Sequence, residues 1–431
     1  MGTLEIYLFI IMKISLILLI FLVGNMLTRF LFNPFNGWIL GFMIPSFTVY
    51  INDELVSSIV PHWWMYIFIF SSLFFMLGSF TIFLSYKEIR LLRYKNEINI
   101  SGIWSENFLR QSIYYLFILS VLGFLVNIFN AYNNLGTINP LAVNTRTWEL
   151  TFGGVSPIFN YLYFICGVVF FLSGMYKNVY GRKIDIILIR YISFTMTFFH
   201  GIKSTIIAVF IIDYIFTLLI VYFLRNGNPK YIYRLLLSGT LKIFIIVSIA
   251  FAYVTFGRFG YFEVSTIVNT MFAYINYNYI NLQLQIQKGE IFTYGLSTFG
   301  VIYSVIHFFI TLEKPRWELF GINPEFVLLD ERYNVGTILR TFVIDFGAIG
   351  ICIGSFIIGL VSTLFYAILI KRKNILSAFT YSVIFSQLLA SFFLVEFIRI
   401  QFVYWIIIFV ILNEIWKIKN KKNEKTKNCF V

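Results

Sequence analysis

Long runs of apolar residues, each about the thickness of a bilayer core, follow one another along nearly the whole chain. A helix of roughly 20 apolar residues spans the hydrocarbon layer. Backbone in lipid must satisfy its own hydrogen bonds, so only helices or closed barrels can cross it. The runs here are continuous in Ile, Leu, Phe and Val rather than alternating with polar residues, which selects helices. They fall at about 6–27, 36–51, 62–85, 112–130, 157–176, 183–199, 203–224, 235–255, 341–370, 374–395 and 400–416. The expectation is an all-α, polytopic integral membrane protein with about 11 transmembrane helices, within a range of about 10–12. The second run is short and the ninth long. Composition agrees: 59% of residues are hydrophobic and 12% charged, against about 25% charged in soluble domains.

One transmembrane domain over 1–416 and a basic tail over 417–431 is the simplest division. The N-terminal run has no small-residue cleavage site, so it reads as a retained first span. Cys166, Cys352 and Cys429 are widely separated and form no disulfide framework or metal-binding pattern. The formal net charge is +13, but the bases lie in short connectors, which argues for membrane orientation and against nucleic acid. Lys87, Arg90, Arg93, Lys95 and Arg110 lie between the third and fourth runs. Further groups are Lys177 with Arg182 and Lys183, Arg225 with Lys230 and Arg234, the cluster Lys371–Lys373, and the lysines after Trp416. With about 11 alternating spans all of these fall on one side. That places the C-terminus in the cytoplasm and makes 256–340 one large extracytoplasmic loop. Within it, 295–312 is apolar and reads as a helix on or re-entering the outer membrane face. The connection 131–156, rich in Asn, Gly and Pro, reads as irregular loop.

No Walker A loop, GxGxxG, HExxH or GxSxG occurs, and with three histidines a His-based metal site is not expected. Charges inside spans are costly and are paired or functional. Arg190, Asp213 and Lys242 sit at similar depth in consecutive spans, either as a buried structural pair or as a proton or ion relay. Lys13, in the first span, is expected to snorkel toward the interface. In the ninth span Asn334, Thr337, Thr341 and Asp345 would share one helical face, with Arg340 beside them and Arg332 and Tyr333 at the mouth. Gly350 and Gly354 form a GxxxG below. The loop carries Tyr261, Tyr274, Tyr277, Tyr279 and Tyr294 interleaved with Asn276, Asn278 and Asn281. Such a mixture suits sugar rings and equally suits an interfacial aromatic belt. Arg258 lies where a phosphate or pyrophosphate headgroup would sit, and Arg146, Arg316, Arg340 and Arg399 are placed to join it.

The stretches YINLQLQIQKGEIFTYGLSTFG and NVGTILRTFVIDFGAIG resemble the Wzy-type oligosaccharide repeat-unit polymerases of O-antigen and capsule synthesis. The second is similar to a family pattern that would here comprise Asn334, Gly336, Thr337, Asp345, Phe346, Gly347 and Gly350. The paired arginine-x10-glycine loop motifs of some polymerases are absent, so no role is carried over from them. The resemblance implies transfer, on the outer face of a bacterial cytoplasmic membrane, of a glycan from undecaprenyl pyrophosphate to a newly arrived lipid-linked repeat unit. It implies no nucleotide, ATP or soluble cofactor, because the lipid pyrophosphate is its own leaving group. Partners would be the undecaprenyl-pyrophosphate-linked oligosaccharide, membrane lipids, a chain-length regulator and a flippase. Under this reading Arg258 and Arg340 stabilise the departing pyrophosphate. Asp345 is the candidate base, with Glu263, Asp330 and His307 as alternatives. Arg146, Tyr274, Tyr277, Asn281, Tyr333, Asn334, Thr337, Thr341 and Arg399 would bind substrate. The competing readings are a lipid-linked oligosaccharide flippase, or another lipid-linked glycosyltransferase such as an O-antigen ligase.

Overall fold

A computed structural model describes residues 3–28, 32–51, 56–85, 103–139, 145–152, 157–199, 203–224, 264–289, 337–392 and 400–428, with 245, 248, 249, 252 and 298. Among these residues the chain is helical almost throughout and has no strand. Helix α1 is Thr3–Thr28. Helix α2, Pro34–Trp38, starts at Asn33, whose Oδ1 accepts from Asn36 N at 2.9 Å, with proline at the first helical position. It widens into a π turn at Ile39–Met43 and, beyond Pro45, tightens into a 3₁₀ helix over Pro45–Ile51. The expected span 36–51 is therefore a broken series of short helical pieces. Pro45 has no N–H to continue the ladder across it.

Next come α3 (Pro61–Ser85), α4 (Glu106–Leu135), α5 (Thr145–Phe152), α6 (Pro157–Val179), α7 (Ile184–Phe198) and α8 (Lys203–Leu224). Helix α9 is Val264–Lys288, α10 is Arg340–Phe346 and α11 is Gly350–Arg372. The chain ends with α12 (Ile375–Leu389) and α13 (Ile400–Asn428). Seven described helical stretches are long and apolar enough to cross a membrane: Leu4–Thr28, Pro61–Ser85, Glu106–Leu135, Ile158–Val179, Ile206–Leu224, Arg340–Arg372, which includes the break described below, and Gln401–Lys421. The protein is thus helical and membrane-type. The expected runs at 183–199 and 374–395 give helices of 15 residues each, and most of 235–255 lies outside the described residues.

Three expectations change. The connection 131–156 is not irregular throughout. Helix α4 continues to Leu135 and stops at Gly136, in the left-handed region at φ 67°. Helix α5 then forms because Trp148 and Phe152, one turn apart, bury together beside Tyr163 and Met196. Residues 264–288, read as loop, form a 25-residue helix. The ninth run is not one helix either, because it breaks at Gly347, whose φ of 62° and ψ of −149° suit glycine alone.

The chain divides into two compact units. The first comprises Met1–Lys95, Val264–Lys371 and Ile384–Arg399. Its helices meet backbone against backbone. A Cβ on Gly41 would lie 1.7 Å from Leu388 O, one on Gly78 2.1 Å from Phe356 O, and one on Gly359 2.2 Å from Phe75 O. Small residues thus set the helix spacing, as in membrane interfaces generally.

The second unit comprises Asn96–Glu263, Arg372–Val383 and Ile400–Val431. At one end the start of α4, the end of α6 and the start of α7 are tied by Arg110–Asp185 at 2.9 Å and Lys183–Glu106 at 2.5 Å. Tyr176 also donates to Glu106 at 2.7 Å. The basic end of α13 joins them, with Trp416 ringed against Phe108 at 5.3 Å and Lys419 over the Phe108 ring at 5.8 Å. The opposite end holds α5, where Trp148 Nε1 donates to Phe199 O at 2.7 Å and Asn130 Nδ2 to Thr151 O at 2.6 Å. Bases from three separate stretches therefore collect at one end of this unit.

Candidate functional site

The break at Gly347 shapes the candidate site. Eight residues of straight helix would separate Phe342 from Gly350 by about 12 Å. Yet a Cβ on Gly350 would lie 2.2 Å from Phe342 O, and one on Gly354 would lie 2.7 Å from the Phe342 ring. The short helix α10 therefore doubles back along the start of α11. The expected GxxxG at Gly350 and Gly354 receives the chain's own preceding turn.

On this hairpin Thr337, Arg340, Thr341 and Asp345 are all buried, with Arg340 and Asp345 each 1% exposed. The polar stripe expected along one face is only partly built. Helix α10 begins at Arg340, so Thr341 and Asp345 share its surface, one turn apart. Thr337 lies on the preceding turn, where Ile338 N donates to Ser391 O at 2.9 Å instead of extending the helical ladder. Asn334 and Tyr333 lie outside the described residues, as do Arg258 and Arg399. Asp345 Oδ2 accepts from Thr298 N at 2.6 Å, so the buried carboxylate holds a point of the 295–312 stretch against the hairpin. Around the same place Ser391 Oγ and Thr337 Oγ1 are buried with no hydrogen-bond partner among the described residues.

Helix α9 packs on α10 and carries a run of amides. Asn276, Asn278, Asn281, Gln283 and Gln285 are all buried. Two of them, Asn278 and Gln283, reach backbone groups of other segments. Gln283 accepts from Val60 N at 3.0 Å and donates to Ser58 O at 3.1 Å. Asn278 donates to Phe392 O at 2.6 Å, Tyr279 OH to Phe42 O at 2.5 Å, and Thr48 Oγ1 to Asn276 Oδ1 at 2.5 Å. The physical reason is that irregular backbone inside an apolar unit needs polar partners supplied by protein. Of the residues read from sequence as sugar-binding, Asn281 is fully buried and Tyr277 half-buried. Tyr274 lies on α9 and Arg146 on α5. The sequence reading missed the glutamines and Ser391. A signal was present, namely five amides within ten residues of an otherwise apolar stretch.

The charges expected inside spans resolve separately. In the second unit Arg190 and Asp213 form a bidentate pair at 2.6 and 3.2 Å, and Arg190 also donates to Phe170 O at 2.8 Å. The guanidinium lies 4.1 Å from the Phe170 ring centroid, and Gly174 leaves room for both groups. Lys242 lies outside the described residues. Lys13 does not snorkel, because it is fully buried and its Nζ donates to Ser46 Oγ at 3.1 Å. Among the described residues no three His, Cys, Asp or Glu side chains gather as a metal would need.

Chemically, the hairpin offers a permanent cation, a hydrogen-bonded carboxylate and two hydroxyls in a setting largely withdrawn from water. A guanidinium held there favours phosphate or carboxylate oxygens, which match its fork. Compared with models of protein families, with curated proteins and with solved structures, the chain matches none of them.

Proposed function

We propose that this protein polymerises undecaprenyl-pyrophosphate-linked oligosaccharide repeat units at the outer face of a bacterial cytoplasmic membrane. The observation that carries the reading is the coincidence of Asp345, Phe346, Gly347 and Gly350 with the break between α10 and α11, with Arg340 at the start of α10. These are largely the residues that resemble the polymerase pattern. Non-helical backbone at membrane depth is tolerated where it is buried in protein or lines a cavity, and such breaks are where membrane proteins bind polar substrates. In this reading the Arg340 guanidinium stabilises the charge that grows on the departing pyrophosphate. The Asp345 carboxylate takes the proton of the acceptor hydroxyl as the new glycosidic bond forms. The pyrophosphate leaves on its lipid, so the bond energy of the donor drives the transfer and no nucleotide is consumed. The chain would cross the membrane about 11 times, with its C-terminus in the cytoplasm and 256–340 outside. Such a protein would work beside a flippase and a chain-length regulator.

A second reading, a lipid-linked oligosaccharide transporter, is favoured by the same feature. The two broken stretches, Pro34–Ile51 and Arg340–Arg372, resemble the discontinuous helices of transporters. Deletion of the gene in its host, with the surface glycan run on a gel, separates the two. Loss of the long ladder with single units still reaching the outer face supports polymerisation. Single units left facing the cytoplasm would replace it with transport. An unchanged ladder accompanied by loss of glycan transfer to a final acceptor would mean a ligase.

A further inference from the structure

Lys13 is fully buried in the first unit, midway along an apolar helix whose other faces look outward. Its Nζ lies 3.9 Å from the ring centroid of Phe68, 4.7 Å from those of Tyr50 and Trp64, and 5.4 Å from that of Phe47. It donates to Ser46 Oγ at 3.1 Å and reaches Ser46 O at 3.4 Å. Ser46 Oγ spends its own proton on Met43 O at 2.6 Å, so a lone pair is left for the ammonium. Trp64 Nε1 donates to Tyr50 OH at 2.8 Å, which locks two walls together. Among the described residues no carboxylate pairs with Lys13. Aromatic faces attract cations through their quadrupoles, more strongly once water is excluded, and boxes of several rings are how proteins recognise ammonium ligands.

We propose that this box is a cation-binding site for a primary alkylammonium group, and that its resident occupant is the Lys13 side chain itself. The occupant is the common point of three elements. The cation comes from α1, two rings from α3, and two rings with the serine from the 3₁₀ segment Pro45–Ile51. That segment is a 3₁₀ helix of seven residues, and the shared cation fastens it to its neighbours. The inference stands whether or not the protein is a polymerase.

The test uses the purified full-length chain in detergent, followed by thermal unfolding. Lys13→Met keeps an apolar stem without charge, and Lys13→Ala empties the box. Both should unfold several degrees below the parent. n-Propylammonium chloride at tens of millimolar should restore most of the loss in Lys13→Ala while leaving Lys13→Met and the parent unmoved. Sodium chloride at equal ionic strength should not, nor should tetramethylammonium, which has no N–H to give Ser46. Parent-like stability of Lys13→Met would overturn the proposal, as would an alanine variant that alkylammonium cannot rescue. If Lys13→Ala does not fold, the pair Lys13→Met and Trp64→Leu decides. Losses smaller in combination than their sum support a cation held by the ring, and strictly additive losses refute it.

Discussion

A guanidinium keeps its charge wherever the chain puts it, so burial of Arg340 to 1% exposure is costly unless oxygen atoms surround the group. In the proposed reaction those oxygens include the pyrophosphate. Arg340→Ala should then lower polymer formation by about two orders of magnitude at unchanged membrane abundance. Arg340→Lys should recover little, since an ammonium lacks the two-pronged geometry. Full-length ladders from Arg340→Ala would remove the residue from the mechanism. Arg190 and Asp213 present the contrasting case, because their charges are already satisfied by each other and by the Phe170 carbonyl. Removing one partner strands a buried charge at a cost of about 3–5 kcal/mol, whereas replacing both by apolar residues approaches neutrality. Thermal unfolding should therefore rank Arg190→Met well below the double variant Arg190→Met with Asp213→Leu. Equal stability of the two would point away from a structural pair and toward the relay.

At the level of elements, close helix contact is bought with glycine. Gly78 and Gly359 each sit almost on the backbone of the facing helix. Gly359→Leu should force α3 and α11 apart at a cost of about 1–3 kcal/mol, visible as a lower unfolding temperature and reduced yield of folded protein. The long apolar helices were legible in the sequence because their signal is local: about 20 residues without charge can do little else. The pairing of Asp213 with a nearby base was legible for a related reason, since consecutive spans at equal depth must lie close. What escaped was set by distant chain. Nothing within 341–370 announces that the turn before Gly347 folds back onto Gly350, because that depends on a glycine-only backbone angle and on Phe342 finding room. Helix α9 escaped because its buried amides look like loop composition until the backbone groups they serve are known. The Lys13 box needed rings from two further elements.

For the whole molecule, the collection of bases from α4, α7 and α13 at one end of the second unit agrees with alternating spans whose connectors share a side. Cys166 and Cys352 are buried, which leaves Cys429 in the basic tail as the natural reporter. A membrane-impermeant maleimide should spare Cys429 in intact spheroplasts and label it after permeabilisation. A cysteine placed at Lys288, exposed at the end of α9, should show the opposite pattern. Labelling of Cys429 from outside would invert the proposed topology. The amide contacts of α9 also carry a consequence for the order in which the molecule is made. Thr48 leaves the ribosome 228 residues before Asn276, and Val60 leaves it 223 residues before Gln283. Throughout that interval Thr48 and the residue before α3 lack the amide partners that α9 later supplies. The first unit can close only after the intervening residues of the second have been synthesised, so a chain halted before residue 264 would be a substrate for membrane proteases rather than a smaller working protein.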